Sequence, residues 1–196
     1  MQPCRLVADD LACRRGDRLL LRGVGFALGP GDALHLAGPN GIGKSSLLRI
    51  LAGLMRPYAG RVEAVGAIAL SDEHLPLDAH RPLDAALGFW RRFDGAGPGL
   101  ADFGLDNLGD VPVRYLSTGQ RKRAALACLA ASGAGIWLLD EPLNGLDTHW
   151  TGIAQAAIEA HRAGGGIAVI ASHQPLDLRG LAVLPLLAHL PADAEA

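Results

Sequence analysis

Nine residues, GPNGIGKSS at 38–46, constrain the fold of this chain more than any other stretch. They follow a short apolar run, ALHLA at 33–37, which reads as a buried strand. They lead straight into GKSSLLRILAGLM, where Leu47, Leu48, Leu51 and Leu54 recur at helical spacing. The stretch fits G-x-x-x-x-G-K-[ST], with Gly38, Gly43, Lys44 and Ser45 in the fixed positions, and a strand–loop–helix context is the one in which that pattern cradles phosphate. Glycines let backbone N–H groups converge on phosphate oxygens. Lys44 brings a positive point charge to the β- and γ-phosphates. The Ser45 hydroxyl can ligate Mg²⁺, a hard cation that prefers oxygen.

Such a loop needs a parallel sheet around it. GIWLLDEP, ending at Pro142, and GIAVIAS, ending at Ser172, read as fully buried strands, with WTGIAQAAIEAHRAGG between them as a helix. That alternation predicts an α/β fold with a mostly parallel, doubly wound core. The N-terminal stretch up to Ala37 is short apolar runs divided by Gly, Pro and Asp, which predicts strands and turns in an antiparallel β part. RPYAGRVEAVGAIAL reads as turn, strand, turn, strand. From about residue 75 to 132 the pattern changes to helical stretches, PLDAALGFWRRF and TGQRKRAALACLAAS, joined by a Gly/Pro-rich link. This predicts a small helical subdomain inserted into the core.

Two acids close the first buried strand. In an open α/β sheet the carboxyl ends of strands face the ligand crevice. Asp140 is therefore placed to hold Mg²⁺ through water, and Glu141 to polarise an attacking water as general base. A strand-ending DEP turn is common by itself; beside a phosphate loop it gains chemical meaning. His173 ends the next strand and can link the γ-phosphate to that water, although a strand-end histidine taken alone is more often structural or simply exposed. The other six histidines have no ligand-like spacing.

Composition removes other function classes. The chain has 196 residues, 49% of them hydrophobic, enough for one globular core and too few for two full domains. A formal net charge of −2 gives no global pull toward nucleic acid. The local runs Arg14-Arg15 and Arg121-Lys122-Arg123 read as solvated faces. Cys4, Cys13 and Cys128 are odd in number and lack C-x-x-C spacing, which argues against a disulfide framework or zinc knuckle and for a reduced, cytosolic setting. Cys128, in an Ala/Leu run, reads as a small core residue. MQPCRLVADD has no apolar signal region, and no uncharged run is long enough to span a bilayer.

A second anion-attracting element stands at YLSTGQRKR, residues 115–123, where Ser117 reads as the cap of a helix that opens with basic residues.

In this order, GPNGIGKSS, LSTGQ at 116–120, IWLLDEP, NGLD at 144–147 and the pair Ser172-His173 resemble the motifs of the nucleotide-binding subunits of ABC transporters, over nearly the whole chain. The resemblance implies a P-loop NTPase fold of the ABC ATPase type, a single ATP-binding domain over 1–196, a disordered tail from about 191, and ATP with Mg²⁺ as ligands. Carried over residue by residue, it implies nucleotide contacts from Gly38, Pro39, Asn40, Gly41, Ile42, Gly43, Lys44, Ser45 and Ser46. It implies Ser45 and Asp140 at the metal, and Glu141, His173 and Lys44 in catalysis. It also implies a head-to-tail homodimer in which Ser117, Gly119 and Gln120 face the partner's γ-phosphate.

Three positions depart from the family pattern. Thr118 stands where glycine is usual. The glutamine after the strand AIAL is missing; in SDEHLP Glu73 falls nearest its place, as a metal-side contact or a plain exposed acid. The aromatic that stacks on adenine is also missing, and Arg15 stands about there, as a stacking guanidinium or a surface arginine. The short chain, SHQPL at 172–176 and Arg15 together resemble the ATP-binding subunits of haem exporters in cytochrome c maturation. That implies integral membrane partners on the bacterial inner membrane, reached through residues between about 73 and 90, no nucleic-acid partner, and a peripheral place on the cytoplasmic face. Rival readings are a compact ABC ATPase with another cargo, a non-transport ATPase of repair or translation, and a weakly hydrolysing nucleotide sensor.

Overall fold

The computed structural model describes residues 4–94 and 99–191. The expected disordered tail therefore lies outside the described residues, apart from Pro191. Two sheets organise the chain. β1 (Arg5–Arg15), β2 (Arg18–Leu28) and β4 (Ala59–Val65) form an antiparallel sheet in the order β2-β1-β4. β3 (Ala33–Ala37), β5 (Ile68–Ser71), β6 (Ile136–Asp140), β7 (Ile167–Ser172) and β8 (Ala182–Pro185) form a parallel sheet in the order β5-β6-β7-β3-β8.

The central strands β3, β6 and β7 are buried on both faces, which explains their unbroken apolar sequence. Alternate side chains enter two cores. Ile136, Leu138, Ile167 and Val169 point to one side, against α1 (Lys44–Leu51) and the antiparallel sheet. Trp137, Leu139, Ala168 and Ile170 point to the other, against α3 (Thr118–Ala131) and α4 (Thr148–Ala163). Between β5 and β6 the chain forms α2 (Leu83–Asp94), three single 3₁₀ turns and α3. Cys128 sits on the inner face of α3, where burial pushes its thiol up to about 12, so it packs as a small hydrophobe. Cys4 and Cys13 are likewise buried and free.

One expectation about these elements needs correction. The helix after the phosphate loop stops at Leu51, so Leu54 lies beyond it and is 70% exposed rather than in the core. The apolar stretch around Pro185 contains a strand, β8, which pairs with β3 from Leu34↔Ala182 to Ala37↔Pro185. Proline is tolerated there because β8 is an edge strand at its last residue.

Register aligns the strand ends that matter. Ala37 lies opposite Ser172, and Asp140 opposite Ala171. The C-termini of β6, β7 and β3, three neighbours in one sheet, thus finish side by side. The arginine run packs the helical part against them. Arg123 donates from Nη1 to the carbonyls of Phe103 and Gly104, at 2.9 and 2.8 Å, while its guanidinium carbon lies 3.8 Å from the centre of the Trp150 ring. This joint predicts a strong effect at Gly104. Its φ is +59°, and a Cβ there would overlap the Trp150 ring. Gly104→Ala is expected to cost about 2 kcal/mol or more, from overpacking plus left-handed strain, read as a lower urea midpoint at unchanged slope.

Candidate functional site

The phosphate loop runs from the end of β3 to the first turn of α1. Gly43 occupies the N-cap of α1 and has no side chain to cap it, so the first-turn amides stay available to an anion. Lys44, 5% exposed, turns its ammonium back over the loop. Its Nζ donates to the carbonyls of Gly38 at 2.8 Å and Pro39 at 3.4 Å, and lies 3.1 Å from Glu141 Oε1. That last contact is an ion pair out of hydrogen-bond alignment, since the buried Oε1 accepts no hydrogen bond.

The other oxygen of Glu141, Oε2, lies 3.0 Å from His173 Nδ1. One carboxylate thus bridges the phosphate-loop lysine and the strand-end histidine. The backbone that aims it is unusual. Glu141 has φ +47°, a left-handed conformation that costs a non-glycine residue about 1–3 kcal/mol. Three hydrogen bonds hold it there. Its N–H donates to Ala171 at 2.9 Å, and its carbonyl accepts from the Asn144 N–H at 3.3 Å and from Lys122 Nζ at 2.9 Å.

Asp140 sits deeper. Burial raises its carboxyl pKa, a hydrogen bond from Ser45 lowers it, and the neighbouring Glu141 raises it again. Its Oδ1 is buried without a hydrogen-bond partner among the described residues. A cavity of about 300 Å³ opens in front of these groups, lined by Asn40, Gly41, Gly43, Ser45, Ser46 and both acids, together with Arg15, Arg18 and Leu20 from the first hairpin. A second, of about 470 Å³, continues from Ser45 and Asp140 to Arg49, Glu73, Lys122 and Asn144.

Of the remaining expected residues, Arg15 lines both cavities, while Arg14 turns the other way, 4.9 Å from the centre of the Tyr58 ring. Glu73 lines the second cavity, but its carboxylate is 79% exposed. Pro39 and Ile42 belong to the loop, with Ile42 buried beneath it. Ser117, Gly119 and Gln120 form a separate group at the start of α3. Ser117 Oγ accepts from the Gln120 N–H and Gln120 Oε1 from the Ser117 N–H, closing a capping box at 3.3 and 2.8 Å. Thr118 and Gly119 are the first-turn residues whose amides that box leaves out.

In the run Arg121-Lys122-Arg123 only Arg121 lies on an exposed face; Lys122 and Arg123 are half-buried, which corrects the sequence reading for those two. Arg121 donates to the carbonyls of Leu116 and Arg114, Lys122 to Glu141, and Arg123 to Phe103 and Gly104. Burial pulls the Lys122 ammonium below its ordinary value of 10.5, against the pull of the Asp140, Glu141, Asp72 and Glu73 carboxylates.

Sequence reasoning passed over three residues at this site. Arg18 was within reach, because the hairpin R-G-D-R pairs it directly with Arg15. Lys122 follows Thr118 by one helical turn, on the same face. Asp72, beside Glu73, is the anchored acid of that loop; it accepts from Arg49 at 3.2 Å and from the His74 N–H at 2.8 Å.

The match to known proteins is extensive. Residues 21–144 fit the model of the family described as ABC transporter. The cytochrome c biogenesis ATP-binding export protein CcmA of Novosphingobium aromaticivorans is 67% identical over 186 residues, 95% of this chain and 97% of its own length. The CcmA of Zymomonas mobilis is 50% identical, over 93% of this chain and 84% of its own. A solved ATP-binding subunit of an ABC transporter superposes with a TM-score of 0.76 at 22% identity, covering 86% of this chain and 79% of that one, and so shares the fold.

The anchored aspartate gives a pH test. Burial alone would raise the Asp72 carboxyl, but the His74 N–H and the Arg49 guanidinium outweigh it and hold the carboxyl below its ordinary 3.8. A depressed folded pKa adds stability above the unfolded pKa that is lost as pH falls through the folded one. Asp72→Asn should therefore be less stable than wild type by about 1–2 kcal/mol at about pH 7, with the gap closing below about pH 3.8, in urea unfolding at both ends of that range.

Proposed function

Because the chain belongs to the ABC transporter family of ATP-binding proteins, we propose that it is the ATP-hydrolysing subunit of a bacterial inner-membrane export complex serving cytochrome c biogenesis. The cytochrome c part is supported by relatives bearing that description and aligned over nearly their whole length. Hydrolysis is supported above all by the single carboxylate of Glu141 held between Lys44 and His173 at the mouth of the phosphate loop.

On this reading the triphosphate lies along the uncapped start of α1, and residues 38–46 wrap it with backbone N–H groups. Lys44 exchanges its carbonyl partners and Glu141 for β- and γ-phosphate oxygens. Glu141, released on that side and still held by His173, orients the attacking water and takes its proton as the bond between the γ-phosphorus and the bridging oxygen breaks. Arg15 and Arg18 lie where the nucleoside end would rest, and a guanidinium plane can stack on a base.

The residues present suit Mg²⁺. Ser45 and Asp140 offer hard oxygen donors, and the orphaned Asp140 Oδ1 is the kind of buried atom a cation satisfies. Among the described residues no cluster of three or more His, Cys, Asp or Glu competes as a metal site. When bound, the ion neutralises charge on the β- and γ-oxygens. Glu73 is a secondary, solvent-side contact on this reading.

The start of α3 supports pairing. Ser117, Gly119 and Gln120 lie apart from this chain's own phosphate loop and belong to the partner's site in a head-to-tail homodimer. No helix among the described residues is long and apolar enough to cross a membrane. In the proposed complex, integral subunits supply the path and this chain docks at the cytoplasmic face.

Two measurements test the reading. In cells lacking this gene, covalent haem on c-type cytochromes should return with wild type and not with Lys44→Ala; normal haem attachment in every strain would remove the cytochrome c assignment. In sedimentation, Glu141→Gln with ATP and Mg²⁺ should run as a dimer, and a persistent monomer would sink the composite site.

A further inference from the structure

Glu141 reaches its carboxylate position through a backbone that its own strand does not stabilise. β6 ends at Asp140, and the next residue takes φ +47°. The N–H of Glu141 is tied to β7 through Ala171. Its carbonyl receives one local bond, from Asn144 three residues on, at the long distance of 3.3 Å. The shorter bond, 2.9 Å, comes from Lys122 Nζ, nineteen residues earlier on a different helix.

That helix, α3, starts at the LSTGQ stretch. Its first turn also packs on the segment that follows Glu141. A Cβ on Gly119 would stand 3.6 Å from the Gly145 carbonyl, and one on Gly145 would stand 3.9 Å from Thr118 Cγ2. Lys122 lies four residues after Thr118, on the same face, and completes the contact at the catalytic end of the segment. Its ammonium is half-buried in the cavity it shares with Ser45, Asp140 and Glu141. Surface solvation does not explain a lysine there, and neither does phosphate binding, which Lys44 supplies.

We infer that Lys122 is a positioning residue for ATP hydrolysis. Its ammonium fixes the Glu141 carbonyl, and so the carboxylate, from the helix whose start meets the partner's nucleotide. The inference rests on the reading of Glu141 as the group that orients the attacking water. On this reading Lys122 acts through the peptide of Glu141, whose carbonyl it holds. Removing its donor lets that peptide relax from the left-handed region and swings the carboxylate off the line set by Lys44 and His173.

The test is ATP hydrolysis by the full chain assembled with its membrane subunits, for wild type, Lys122→Met, Lys122→Arg and Glu141→Gln. Methionine keeps the apolar stem and loses the donor, whereas arginine keeps a donor. Lys122→Met is expected to lower kcat by about tenfold or more with KM for ATP within about twofold, because misplacing a catalytic group costs turnover rather than ground-state binding. Its thermal midpoint and ATP-driven pairing should match wild type, and Lys122→Arg should recover most of kcat. Wild-type kcat in Lys122→Met overturns the inference. So does a loss of kcat that comes with raised KM and a lowered thermal midpoint, or one that arginine does not repair. Should Glu141→Gln keep wild-type turnover, the reading of Glu141 itself fails. Should Glu141→Gln lose turnover while Lys122→Met keeps it, only Lys122 is removed from the mechanism.

Discussion

The ion pair between Lys44 and Glu141 joins the ends of two strands that never touch. β3 and β6 are separated by β7, and the residue that follows β7, His173, reaches the same carboxylate. The contact therefore exists only if three parallel strands finish level, and the register of β3 on β7 and of β7 on β6 makes them do so. Everything else in the molecule serves that alignment. The two cores bury alternate faces of the strands, so a slip of one residue in any of them would exchange Leu138 for Trp137 and move Asp140 off the edge.

Charge sets the second constraint. The inner groups of the site are two carboxylates, Asp140 and Glu141, and two ammoniums, Lys44 and Lys122. The four nearly cancel, which is how such groups can sit together where desolvation is costly. Asp72 is already matched by Arg49 outside them. A triphosphate entering this neutral cluster brings several negative charges with it. On the proposed reading the helix start of α1 and the guanidiniums of Arg15 and Arg18 answer part of that charge, and a divalent cation at Ser45 and Asp140 would answer more. On the proposed reading the same addition breaks the Lys44–Glu141 pair by competition, and binding of substrate frees the carboxylate.

The parts of this design that were legible in the sequence are those written in contiguous residues. The phosphate loop, the three buried strands and the acids closing β6 each occupy one short stretch with its own periodicity. What the sequence hid depends on distant partners. Arg121, Lys122 and Arg123 look like a solvated run until carbonyls from Leu116, Glu141 and Phe103 come to meet them. Asp72 and Glu73 are equivalent acids on paper; Arg49, arriving from α1, separates an anchored carboxylate from one that meets only the exposed His74, at 4.0 Å. The over-long reading of α1 had a visible remedy. Gly53, at φ +73°, is the left-handed stop that Leu54 should have been placed beyond. β8 was hidden by its brevity and its proline, features that only an edge position makes harmless.

The two helix starts, alike in sequence as anion attractors, are built for different circumstances. At α1 the cap is bare and a buried lysine stands guard over the loop, so the site is held together by groups of the same chain. At α3 the capping box satisfies two backbone donors internally, and Ser117 and Thr118 stand exposed. Such a start is stable in water without any ligand. Gly119 sharpens the contrast. A Cβ there would meet nothing closer than 3.6 Å, so the packing of this chain has no need of glycine at that position. The residue gives close access to a backbone amide from outside, and access of that kind has value only to a group this chain does not itself supply. On the proposed pairing that group is the γ-phosphate held by the phosphate loop of a second copy.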